Sequence, residues 1–185
     1  FRFEDVTEQA RLLMGDADTF WGTGATFVDI DNDGDLDLYA CGFECPNRLY
    51  VNQGDGTFAE QARGYGLDYR GASVMMAFAD YDRDGDLDGF LLTNARVMPK
   101  DLAKEQQDFF KACAAGRVPM RNGSFVVPER LREFCDVLPR RRDSQVTRIQ
   151  SGQADILFRN DGRPGVPNFT DISSEVGIEG YDLGL

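Results

Sequence analysis

Residues 25–38, ATFVDIDNDGDLDL, return almost unchanged at 76–89 as MAFADYDRDGDLDG. A chain that repeats itself in this way builds a repeated structural unit, whose copies bury their cores against one another. Weaker echoes extend the repeat. Leu49-Tyr50-Val51-Asn52 is matched by Leu157-Phe158-Arg159-Asn160, each followed by a Gly-containing turn and then by Phe58 or Phe169. Residues 3–7, FEDVT, match 169–173, FTDIS, and Gly66-Leu67 and Gly177-Ile178 fall at the same offset from their phenylalanines. The chain reads as two units and the opening of a third.

Within a unit the apolar runs are short and bounded by Gly, Asn and Asp, the pattern of strands joined by tight turns. Strands are expected near 25–29, 36–40, 48–52 and 57–60, then near 74–80, 87–93, 154–159 and 168–172. Four short strands per unit predict an all-β fold of β-propeller blades, here a partial propeller. The division is residues 1–57 for the first blade, 58–95 with 153–168 for the second, and 169–185 for the start of a third. Residues 96–152 break the repeat and are expected to form an inserted helical lobe. Leu102, Phe109, Phe110 and Cys113 are spaced for a helix over 101–115, stopped by Gly116. Pro128 and Pro139 bracket a second expected helix, with Leu131, Phe134, Cys135 and Leu138 on one face. Asn122-Gly123 between Met120 and Phe125 predicts a short hairpin.

The repeated loops carry the chemistry. Each packs five aspartates into nine residues: Asp29, Asp31, Asp33, Asp35 and Asp37, then Asp80, Asp82, Asp84, Asp86 and Asp88. Asp and Gly are also ordinary turn formers. Five like charges in so tight a loop, however, repel one another and raise carboxylate pKa values unless a cation sits among them. Calcium takes six to eight oxygen ligands, and carboxylates at positions one, three, five and nine of a loop can wrap it. The expectation is two Ca²⁺ sites, with side chains from Asp29, Asp31, Asp33 and Asp37 and from Asp80, Asp82, Asp84 and Asp88. Asp35 and Asp86 would add backbone carbonyls. Gly34 and Gly85 stand at the sixth position, where the chain must turn sharply.

These loops, together with Trp21-Gly22-Thr23-Gly24-Ala25, Asn47-Arg48-Leu49-Tyr50-Val51-Asn52 and Gly54-Asp55-Gly56-Thr57-Phe58, resemble the FG-GAP/VCBS repeat proteins, whose relatives include integrin alpha subunits. The chain is also similar to secreted bacterial proteins of the ASPIC/UnbV type, related to cartilage acidic protein. The resemblance covers most of 1–95 and 153–185. It implies a loop joining the first two strands of each blade, calcium in that loop, and a domain commonly of seven blades. It says nothing about the insertion.

Thirty-two acidic against twenty basic residues leave a net charge of −12, which disfavours nucleic acid and anionic membranes as partners. No apolar run has the length needed to cross a bilayer. Histidine is absent, excluding His-based triads and His-ligated zinc. No catalytic constellation is visible, so the reading is binding, adhesion or assembly outside the cytoplasm: extracellular, at the cell surface or periplasmic. The alternatives are a propeller-based carbohydrate-active enzyme and a structural subunit of a surface assembly. The expected partners are a protein or glycan ligand, with the remaining blades of the same protein or neighbouring chains covering the open sheet faces. Of four cysteines, Cys113 and Cys135 are expected to form a disulfide between the inserted helices, Cys41 and Cys45 less clearly so. Trp21 is expected in the core, and Arg140-Arg141-Arg142 as a solvated run.

Overall fold

The structure is a computed structural model that describes residues 1–12, 20–95, 104–115, 117, 120–121, 124–128, 131, 135–139, 146–150, 152–163 and 165–178. In chain order the elements are β1 (Gly22–Val28), β2 (Asp37–Pro46), β3 (Arg48–Asn52), β4 (Phe58–Glu60), the single turn α1 (Ala62–Tyr65), β5 (Arg70–Ala79) and β6 (Asp88–Thr93). There follow α2 (Lys104–Ala114), β7 (Met120–Arg121), β8 (Ser124–Phe125), β9 (Cys135–Pro139), β10 (Val146–Gln150), β11 (Ile156–Asn160) and β12 (Phe169–Asp171). They divide into two compact units, 1–94 with 154–180, and 95–153 with 181–185.

The first unit is two antiparallel meanders, β1-β2-β3-β4 and β5-β6-β11-β12. They are joined where the end of β2 pairs with the start of β5, Phe43 opposite Ala72 and Pro46 opposite Arg70. Two four-stranded sheets side by side, each following the same strand order, are consecutive blades of a β-propeller, so the all-β, partial-propeller expectation holds. Pairing places Phe58–Glu60 beside β3 and Phe169–Asp171 beside β11, so each sheet ends a few residues beyond the borders drawn at 57 and 168.

The core lies between the sheets. Val28, Ile30, Tyr39, Cys41, Leu49 and Val51 of the first sheet and its loop face Met76, Leu91, Ile156, Phe158 and Phe169 of the second, with Ala62 and Leu67 filling the gap. Alternation explains the selection: along β2 and β3 every second side chain points to this face. The inner strands meet through hydroxyls, Thr23 Oγ1 donating to Ser73 O at 2.8 Å and Thr26 Oγ1 to Met76 O at 2.8 Å. Gly24 permits that approach, because a Cβ there would stand 2.3 Å from Val74 O. Tyr39 Oη donates to Leu67 O at 3.0 Å and accepts from Asn47 Nδ2 at 2.9 Å, while Asn47 Oδ1 accepts from Gly42 N at 2.8 Å. The buried polar groups of Tyr39 and Asn47 are thereby satisfied rather than stranded.

In the second unit the first expected helix is present as α2, and Met120 pairs with Phe125 and Arg121 with Ser124 as the hairpin reading required. Over 135–139 the second expected helix is replaced by a strand. Cys135–Pro139 is strand β9, paired along its length with β10, and Leu131 sits in a turn closed by Leu131 N donating to Pro128 O at 2.8 Å. Helical spacing of apolar residues lost to strand pairing with Val146, Thr147 and Ile149, whose branched side chains favour a pleated surface.

No disulfide joins the described residues; Cys41 and Cys45 are buried thiols, and Cys113 is buried on α2. The side chain of Cys135 and residues 140–142 lie outside the described set. Trp21, expected in the core, is 69% exposed and leans on Phe43, its ring centroid 5.6 Å away. Among the described residues no helix is long and apolar enough to cross a membrane.

Candidate metal centre

Each acidic loop connects the first two strands of its blade, β1 to β2 and β5 to β6. The turn is built twice with the same backbone. Gly34 and Gly85 have φ of 95° and 102°, and two residues earlier Asn32 and Arg83 also lie at positive φ, 60° and 68°. Asparagine tolerates the left-handed region; arginine there is strained.

Inside the loops the aspartates organise backbone N–H groups. Asp29 accepts from Asp33 N and Gly34 N, each at 3.1 Å, and Asp80 from Asp84 N at 3.1 Å. Asp33 Oδ1 accepts from Asp35 N at 2.8 Å and Asp84 Oδ1 from Asp86 N at 3.2 Å. The last aspartate of each loop is the anchor. Asp37, 1% exposed, accepts from Ile30 N at 2.9 Å and from Asn52 N at 2.7 Å. Asp88, 2% exposed, accepts from Tyr81 N at 3.1 Å and Asn160 N at 2.9 Å. Each ties the start of its loop to the end of the blade's third strand. The sequence reading recognised Asn52 and Asn160 as a repeat but missed this role; they stand 15 and 72 residues beyond the last aspartates of their loops, so spacing did not mark it.

Of the ten aspartates, the fold gathers two triads. Asp29, Asp31 and Asp37 place a carboxylate oxygen each within 4.8 Å of one another, and so do Asp80, Asp82 and Asp88. Either triad could hold a metal ion. Asp33, Asp35 and Asp84 are exposed, and Asp86 is half-buried. Two carboxylate oxygens, Asp31 Oδ1 and Asp86 Oδ1, are buried with no hydrogen-bond partner, which is the condition a cation relieves. Burial first, and neighbouring carboxylates after it, push the carboxyls of Asp31, Asp37, Asp88 and Asp86 upward, that of Asp86 to about 6.

The two centres are not equally enclosed. The turn between β11 and β12 reaches the first loop, Gly165 N donating to Asp31 O at 2.9 Å, and Asp29 and Asp31 are half-buried where Asp80 and Asp82 are exposed.

Residues 29–90 match a family model described as an FG-GAP-like repeat. No curated protein matches the chain. With both acidic loops inside the matched span and the loop placed between the first two strands of each blade, residues 29–90 are FG-GAP-like repeat sequence carried on β-propeller blades.

Proposed function

We propose that each acidic loop binds one calcium ion, and that this calcium-stabilised propeller segment serves extracellular binding, adhesion or assembly. The observation that carries the reading is the pair of aspartate triads, built twice on the same turn, the first with a buried oxygen left without a partner. Oxygen-only ligands in a flexible loop suit a large hard cation better than magnesium, which keeps its waters and demands a near-ideal octahedron. FG-GAP-like sequence at the same residues supports it. Millimolar calcium outside cells matches the weak affinities, about 10⁻⁴–10⁻³ M, of extracellular modules.

Calorimetric titration with calcium tests the reading. Two sites are expected, the first loop binding more tightly because its carboxylates are less hydrated and its backbone is held by Gly165. At a hundredfold excess over Kd, an ion bound only to the folded state adds about 2.7 kcal/mol. A melting midpoint unmoved by chelator overturns the proposal. Cell fractionation of the native protein tests its location, and recovery in the cytosol refutes it. The second unit interrupts the second blade as a long insertion, and such insertions in repeat scaffolds commonly carry recognition. Binding on a glycan or protein array that is lost when 95–153 are replaced by a short turn is the expected result; retained binding assigns recognition to the blades.

A further inference from the structure

The turns between the third and fourth strands of the two blades differ in length. Asn52 pairs with Phe58 and Asn160 with Phe169, so the same ladder position encloses five residues in the first blade and eight in the second. The short turn keeps to itself: among the described residues the hydrogen bonds of 53–57 stay within 51–57. The long turn leaves its own blade. Arg163 N donates to Val166 O at 3.3 Å and Val166 N to Arg163 O at 2.8 Å, and a Cβ on Gly162 would stand 2.5 Å from Val166 O, so the two arms lie close together. Gly165, at φ 77°, then donates to Asp31 O at 2.9 Å.

Asp31 belongs to the first triad, and the base of the same turn is held by the second. Asn160 Oδ1 accepts from Gly162 N at 3.1 Å and from Asn168 N at 3.0 Å, gripping both arms, while Asn160 N donates to Asp88 Oδ1 at 2.9 Å. Asp88 is the buried member of the second triad. One hydrogen-bonded run therefore passes from Asp88 through Asn160 and the turn 161–168 to the backbone of Asp31. Asn52 grips Asp37 of its own loop in the same way and accepts from Gly54 N at 3.0 Å, but its shorter turn ends without meeting a second loop.

We propose that the two metal centres are coupled, each ion strengthening the binding of the other through the turn 161–168; the inference rests on the calcium reading above. An ion in the second triad fixes the Asp88 carboxylate, and with it Asn160 and both arms of the turn. An ion in the first triad fixes the 29–37 loop, and with it the carbonyl on which Gly165 rests. Ordering the turn costs conformational entropy whichever ion arrives first, and the second ion finds it ordered, which is positive cooperativity without a change of fold. The coupling is reciprocal, because linkage between two binding free energies runs equally in both directions. Both loops therefore fill over a narrower range of calcium than two independent sites, and the contact between the blades tightens over that same range.

Calorimetric titration with calcium is run on the unaltered chain and on the double variant Asp80→Asn with Asp82→Asn, which disables the second centre but keeps Asp88. Both are repeated with 161–168 exchanged for the five residues 53–57 of the first blade. With the native turn, loss of the second centre is expected to weaken calcium at the first by about fivefold or more, and with the short turn by less than about twofold. Hydrogen exchange gives a second readout that needs no altered turn. In Asp31→Asn, which disables the first centre and keeps its backbone carbonyl, calcium is expected to slow the amides of Gly162, Gly165 and Asn168 by about threefold or more. Two ions that bind with unlinked affinities overturn the coupling and leave the calcium reading standing, whereas a chain that takes up no calcium removes both. An equal loss of affinity in the short-turn background overturns the role of the turn, as do turn amides that calcium leaves unmoved in Asp31→Asn.

Discussion

Arg83 and Asn32 occupy the same loop position and the same left-handed backbone, yet only one residue type suits it. Replacing Arg83 with Asn is expected to stabilise the protein by about 1 kcal/mol in chemical denaturation, the order of the left-handed penalty for an ordinary side chain. Asp86 sets a pH dependence. Its carboxyl is raised from 3.8 to about 6 by burial and then by Asp84, so the folded chain holds that proton more tightly than the unfolded chain. The stability this confers is complete below about pH 4 and is lost as pH rises through about 6. Asp31, Asp37 and Asp88 shift in the same direction. Thermal melts of metal-free protein should therefore fall across this window, and Asp86→Asn should flatten the fall. A midpoint that rises from pH 4 to 6 in the metal-free protein refutes the assignment. That like charges crowd these loops was legible in the sequence; that the Asp86 carboxyl is pushed up to about 6 depended on which oxygen the fold buries.

At the scale of elements, Asp37 and Asp88 join loop to sheet. Asp37→Asn keeps the size but turns one acceptor into a donor facing a backbone N–H, leaving buried groups unmatched. A loss of about 1–3 kcal/mol is expected in chelator, where metal binding makes no contribution. Equal stability of wild type and variant without metal would show the carboxylate to be a ligand only. Most strands were legible from short apolar runs between Gly, Asn and Asp, within a few residues. Two were longer than expected, because the ends of β2 and β5 pair with each other across the two sheets, and Gly42, Cys45, Pro46 and Gly71 gave no local sign of it. β9 was misread because Leu131, Phe134, Cys135 and Leu138 satisfy helical spacing, and only the pairing with β10 makes Cys135–Pro139 a strand.

For the whole molecule, the insertion leaves the blades between strands that remain neighbours. Leu91 pairs with Ile156, Thr93 N donates to Asp155 Oδ1 at 2.7 Å, and Thr93 Oγ1 to Ala154 O at 3.3 Å. Replacing 95–153 with a short Gly-rich turn should therefore leave the melting midpoint of the blades within a few degrees of the full chain, whereas a chain that no longer folds would make the insertion part of the propeller's stability. The sequence by itself determined the repeat, the blade architecture, the two acidic loops and the glycines on which they turn, because period-two burial and turn chemistry are local properties of the chain. Only the tertiary structure decided which three aspartates of each five converge, that Asp37 and Asp88 bond to third strands, and that Trp21 is exposed. Those outcomes depend on which distant strand arrives beside each residue, and neither spacing nor composition records the partner.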